Sequence, residues 1–223
     1  AMKKIALLSY LFLLSYSGFV LAACGNATNP WLEIDRCYPT PFDVGALDPG
    51  QPACFKLLTG SFGVTNGGFI PKNNDFCFDL FTSKSYQTNK IVITCDSFAT
   101  PVTVWKDGIQ AGSGDPRPVA FLKVSGGVQQ VEISGCYFKG NLDDVTETSS
   151  YSDPDDYSYR WLIDVENSGL DPGAIKIHGN KFSNLFVHSR QETTYAGRIP
   201  GIIHILDSHY VEIYDNDFLN LGT

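Results

Sequence analysis

Helical periodicity is nearly absent from this chain after residue 25, which sets aside helix bundles and alternating α/β layers. Basic residues are scarce, with 16 Lys and Arg against 24 Asp and Glu and a net charge of −8. Loss of residues 1–23 would remove two lysines and no acids, leaving 14 basic and 24 acidic residues and a net charge of −10. That balance argues against nucleic acid and against direct binding to an anionic membrane. Several motifs are also missing: a phosphate loop, zinc-ligand spacing, EF-hand spacing and any Ser-His-Asp arrangement. The chain is long enough for one β domain and shows no convincing second one.

What is present is a repeat. The segments 91–98 (IVITCDSF), 131–138 (VEISGCYF), 175–182 (IKIHGNKF) and 211–218 (VEIYDNDF) share one pattern, and their first residues lie 40, 44 and 36 positions apart. A fixed local pattern with variable spacing marks a solenoid whose loops differ in length. Alternation at period two puts Ile91/Ile93, Val131/Ile133, Ile175/Ile177 and Val211/Ile213 on a buried strand face and Val92, Glu132, Lys176 and Glu212 outside. Asp96, Cys136, Asn180 and Asn216 then fall in register after a turn, as do Phe98, Phe138, Phe182 and Phe218. Stacked amides can hydrogen-bond along such a column at a strand spacing of about 4.8 Å. A second strand precedes the pattern in three units, at 121–124, 162–165 and 203–205. An ordinary β-sandwich also alternates, but it gives no reason for four in-register turns.

The repeated V-x-I-x-x-N-x-F turn resembles that of the right-handed parallel β-helix, or pectin-lyase-like, superfamily. The resemblance covers about residues 76–223. It implies an all-β solenoid with long insertions at one corner of successive rungs. For activity it implies only a range, from polysaccharide lyases and hydrolases to tailspikes and adhesins. The Asn-x-Asp, paired Asp and Gly-His-Gly set of polygalacturonases is missing, and Arg117-Pro118 lacks the surroundings of the pectate-lyase pair.

Residues 1–23 read as an export signal: Lys3 and Lys4, an apolar run from Ile5 to Leu21, then Ala22-Ala23-Cys24. Leu-Ala-Ala-Cys matches a lipobox, making Cys24 the expected lipidation site. An outer-membrane lipoprotein of the bacterial envelope, or an extracellular protein, follows. The alternative is ordinary cleavage after Ala22 or Ala23, with Cys24 paired in a disulfide. With Cys24 lipidated, Cys136 is expected as a buried free thiol, leaving Cys37, Cys54, Cys77 and Cys95 for two bridges. Residues 24–75, rich in proline, read as a tether and N-terminal cap. The segment 76–223 reads as the β-helix, expected to continue because the chain stops five residues after Phe218.

The insertions 99–118, 141–160 and 185–201 leave the same corner of successive rungs and so build one wall, where a solenoid often binds. The middle insertion carries Asp153, Asp155 and Asp156, carboxylates of a kind that suits Ca²⁺. Tyr151, Tyr157, Tyr159 and Trp161 offer aromatic faces for sugar rings. The third insertion groups His188, Arg190, Tyr195 and Arg198, residue types the resemblance implies for proton abstraction beside a uronate carboxylate. The bland readings are a solvated acidic loop and a polar loop with local ion pairs. His204, between Ile203 and Ile205, reads as a surface histidine. The expectation is an exported protein that binds or depolymerises a polysaccharide; the alternative is a non-enzymatic adhesin or structural β-helix.

Overall fold

A computed structural model of the chain describes residues 24–47, 51–61, 76–83, 90–104, 120–140, 161–169, 174–184 and 201–220. Among these residues there is no α-helix, only a short 3₁₀ turn at Val44–Ala46. All strands pair in parallel, in three sheets. The first sheet holds β1 (Leu32–Ile34), β3 (Ala53–Leu57), β6 (Lys90–Cys95), β9 (Gln130–Ser134), β12 (Ile175–His178) and β15 (Val211–Tyr214), in that order. The second holds β4 (Gly60–Ser61), β7 (Val102–Thr103), β10 (Tyr137–Lys139), β13 (Lys181–Ser183) and β16 (Asp217–Leu219). The third holds β2 (Phe42–Asp43), β5 (Phe76–Phe81), β8 (Ala120–Ser125), β11 (Trp161–Glu166) and β14 (Gly201–Leu206). From β3 onward the chain visits first, second and third sheet in turn, and each circuit adds one strand to every sheet.

The repeat maps onto this circuit. Ile91, Ile93, Val131, Ile133, Ile175 and Ile177 are buried, and pairing places Ile91, Val131, Ile175 and Val211 side by side. Val211 and Ile213 are exposed because β15 is the outermost strand of its sheet and has a neighbour on one side only. The turn that follows needs a left-handed residue, supplied by Gly135, Gly179 and Asp215 with φ of 69°, 60° and 51°. Glycine takes this region freely, and aspartate tolerates it.

That turn delivers the amide column. The Asn180 Oδ1 accepts the Cys136 N–H at 3.0 Å, while its Nδ2 donates to the Ile133 carbonyl at 2.9 Å and to Asn216 Oδ1 at 3.1 Å. Asn216 repeats the arrangement one circuit on, donating to the Ile177 carbonyl at 2.8 Å. Each amide thus satisfies backbone groups that a tight turn leaves unpaired, the condition for burying them. Phe138, Phe182 and Phe218 stack beside the column, with centroids 5.5 and 5.0 Å apart.

The first unit departs from the expectation. Phe98 is exposed, and Val102 pairs with Phe138 in its place. The offset between Ile91 and Val131 is 40 residues but that between Val102 and Phe138 is 36, so this turn is longer by four residues. Ser97 Oγ closes the extra loop by accepting the N–H groups of Ala99 and Thr100. Asp96 is exposed and accepts the Thr59 N–H of the preceding circuit, so it stands outside the amide column.

Parallel pairing also begins earlier than residue 76: β1 and β3 already belong to the first sheet, and β4 to the second. The cysteine expectations are corrected. Cys24 is bonded to Cys54, Cys37 to Cys77 and Cys95 to Cys136. The Cys24 sulfur is engaged in a disulfide, the alternative to its lipidation, and Cys136 is not a free thiol. Three disulfides fit an oxidising, extracellular environment. Among the described residues no helix is long and apolar enough to cross a membrane.

Candidate functional site

The third sheet carries the densest chemistry among the described residues. Its strands alternate, so Phe78, Leu80, Leu122, Val124, Ile163 and Val165 fill the core. On the opposite face Asp79, Lys123, Asp164 and His204 share one register position on β5, β8, β11 and β14. Glu166 lies two residues beyond Asp164 on the same face. One polar column therefore crosses four neighbouring strands.

Direct contacts bind the column together. His204 Nδ1 lies 2.8 Å from Asp164 Oδ1. Lys123 Nζ lies 2.8 Å from Glu166 Oε2 and 3.6 Å from Asp164 Oδ2, with the Phe76 ring centroid at 4.7 Å. Trp161, the first residue of β11, stacks on the His204 ring at 4.4 Å with planes 9° apart. Gly201 makes room for the indole: a Cβ there would stand 2.6 Å from Trp161 Cζ3.

The site is electrostatically incomplete. The Asp164 side chain is 1% exposed, and its Oδ2 has no hydrogen-bond partner. Asp79 Oδ1 is buried and equally unpartnered. Leaving such oxygens unpaired away from water costs about 1–3 kcal/mol each, more for a charged group. Burial pushes the Asp164 carboxyl above the ordinary aspartate range. The His204 hydrogen bond and the Lys123 charge oppose the rise without cancelling it, and Glu166 adds to it. Burial raises Asp79 as well, against the pull of Lys123.

The outer face of the first sheet is different in kind. There Glu132 pairs with Lys90, His178 Nε2 lies 3.5 Å from Glu132 Oε1, and Tyr214 stacks on His178 at 4.8 Å. Burial raises Glu132, but the Lys90 hydrogen bond and charge, together with His178, outweigh it and hold the carboxyl below its ordinary range. Among the described residues, the buried carboxylate oxygens without a hydrogen-bond partner, on Asp79 and Asp164, both lie on the third sheet.

Of the residues singled out from the sequence, Trp161 lies at this site. Tyr151, Tyr157, Tyr159, Asp153, Asp155, Asp156, His188, Arg190, Tyr195 and Arg198 lie outside the described residues. Their segments, 141–160 and 185–200, link the second sheet to the third and end at Trp161 and Gly201, which are paired neighbours. Lys123, Asp164 and Glu166 are not singled out by the sequence; His204 does face outward as expected, partly exposed, but it is paired there with the buried Asp164. The available signal was one titratable residue at the same place in three apolar strands: FLKV, LIDV and IIHI.

Comparison with known protein families, curated proteins and solved structures finds no match.

Proposed function

We propose that this chain is an exported right-handed parallel β-helix that binds an extracellular polysaccharide across the outer face of its third sheet. Cyclic passage through three parallel sheets supports the helix, and the strong preference of parallel crossovers for the right hand supports its sense. The amide column and the Phe stack support the likeness to pectin-lyase-like proteins.

The observation that carries the ligand reading is the Trp161–His204 stack beside Lys123. A flat indole fixed over a glycine presents an apolar face at the head of a polar column, which suits a pyranose ring with its apolar C–H face and polar rim. Strands about 4.8 Å apart repeat at a distance close to one sugar unit, so a glycan lying across the strands meets a new side chain at each ring. Lys123, now paired with Glu166, would exchange that partner for a uronate carboxylate when the glycan binds. Tyr157 and Tyr159 would extend the platform, and His188, Arg190, Tyr195 and Arg198 would supply proton abstraction if brought over the same face.

The test is a glycan array with acidic and neutral polysaccharides, read together with the ultraviolet absorbance of unsaturated products. Wild type is compared with Trp161→Ala and with a Tyr157→Ala/Arg190→Ala double variant. Binding by the wild type and its loss in Trp161→Ala is the expected result. A wild type inert on every glycan defeats the reading and favours a non-enzymatic adhesin or structural protein.

A further inference from the structure

We infer that Asp164, Glu166 and His204 form a binding site for a first-row divalent metal ion, with Zn²⁺ as the best fit. One ligand atom from each of the three residues lies within 4.8 Å of the others, a spacing that small adjustments can close around one ion. The set comprises one imidazole nitrogen and two carboxylates. Imidazole suits Zn²⁺ and its neighbours, whereas Ca²⁺ and Mg²⁺ prefer oxygen alone. This is a different place and a different donor set from the acidic insertion at 153–156.

Two further observations call for a cation. The first is the Asp164 Oδ2, buried and without a hydrogen-bond partner although its side chain is 1% exposed. A carboxylate oxygen in that position lacks a hydrogen-bond donor: its cationic neighbour, the Lys123 ammonium at 3.6 Å, is beyond hydrogen-bond reach. The second is the charge balance of the face. Among the described residues of this face, Asp79, Asp164 and Glu166 oppose one ammonium, Lys123, while His204 is neutral when it ligates; with all three carboxyls ionised the surplus is two negative charges, which one divalent ion cancels.

Lys123 now occupies part of the space, through its contact with Glu166. It also has somewhere to go. Asp79 is its register partner on β5, and Asp79 Oδ1 is the other buried oxygen without a partner. Metal entry would release Glu166 from Lys123, swing the ammonium to Asp79, and give the His204 Nδ1 lone pair to the ion with the ring proton held on Nε2; an imidazolium would release its Nδ1 proton to solvent. Trp161, stacked on His204, would shield one side of the site and report on it.

The experiment uses the disulfide-bonded chain after chelator dialysis, titrated calorimetrically with Zn²⁺, Mn²⁺ and Ca²⁺, and with Co²⁺ by visible absorption and Trp fluorescence. One saturable Zn²⁺ site per chain is expected, tighter than that for Ca²⁺. Co²⁺ should quench a fluorescence component that Trp161→Phe removes. Asp164→Asn, His204→Ala and the more exposed Glu166→Gln should each weaken Zn²⁺ on the order of tenfold or more, and Lys123→Met should strengthen it. The absence of a saturable site for Zn²⁺, Co²⁺ or Mn²⁺ overturns the inference. So does Zn²⁺ binding that these three ligand variants leave unchanged, or a preference for Ca²⁺. No glycan enters this experiment, so failure of the polysaccharide reading leaves its result intact.

Discussion

The Trp161 indole and the His204 imidazole lie face to face on adjacent parallel strands, 4.4 Å apart, with the indole resting over Gly201. Gly201 is the residue paired with Trp161 itself, so the glycine and the stack are two parts of one local arrangement. Gly201→Ala places a methyl group 2.6 Å from Trp161 Cζ3 and must lift the ring from His204. The expected outcome is a changed near-ultraviolet dichroism of Trp161, reduced glycan retention, and a stability loss of about 1–3 kcal/mol from overpacking. An unchanged Trp signal in this variant would show that the ring is not held there.

Phe182 is fully buried between Phe138 and Phe218, parallel to both within 13°. Phe182→Ala should cost about 3–5 kcal/mol in a denaturant melt, the range for a large buried aromatic. Phe98→Ala should fall within about 0.5 kcal/mol, since Phe98 is 49% exposed. Equal effects at the two positions would contradict the longer turn between Cys95 and Val102.

Asn180 is 1% exposed and serves three different partners from one amide, the Cys136 N–H, the Ile133 carbonyl and Asn216. Asn180→Ala strands the two backbone groups and should destabilise by about 3 kcal/mol. Asn180→Asp keeps an acceptor for Cys136 but has no N–H for Ile133, so it should not rescue at neutral pH. Parallel melts of the two variants decide the point.

The register of this fold was legible because its determinants recur. Ile133, Ile177, Asn180 and Phe182 repeat as a local pattern, and each position has one structural task. The first unit misled because its letters fit while its turn length did not: Cys95 stands where Gly135 and Gly179 bend the chain, and Phe98 falls outside the core. The cysteine pairing was illegible for a different reason. Which sulfurs meet depends on contacts between circuits, and Cys24 reaches Cys54 across 30 residues that carry no repeat. The site was half legible. Trp161 is conspicuous by type, whereas Lys123, Asp164 and His204 acquire meaning only once strands 40 residues apart are seen to be neighbours.

The disulfide assignment makes a simple prediction. The protein recovered from an oxidising compartment should have an intact mass without a diacylglycerol or acyl group, and thiol titration under denaturing conditions should find no free cysteine. Removing the Cys95–Cys136 bridge, which spans 41 residues, should cost about 4 kcal/mol by the chain-entropy argument. A lipid-modified Cys24 would require a free Cys54 and would show in both measurements.

Asp79 and Glu132 should give opposite pH signatures. Burial raises the Asp79 carboxyl in the folded protein above its ordinary value of 3.8. Folding therefore binds its proton more tightly than the unfolded chain does. The stability linked to Asp79 is full below the unfolded value and is lost as pH rises through the raised folded value. Glu132 is held below its ordinary value of 4.5 because Lys90 and His178 outweigh burial. Its contribution is present above the unfolded value and is lost as pH falls through the folded one. Asp79→Asn abolishes the first dependence and removes a buried, unpaired charge, so its melting temperature should exceed that of wild type at pH 7 and converge with it in acid. Glu132→Gln should melt below wild type at pH 7, with the gap closing as Glu132 is protonated. Thermal melts of the three proteins between pH 3 and pH 8 separate the cases. An Asp79→Asn variant less stable than wild type at pH 7 would mean that Asp79 is satisfied by Lys123 after all, and that the third-sheet face has no charge left to neutralise.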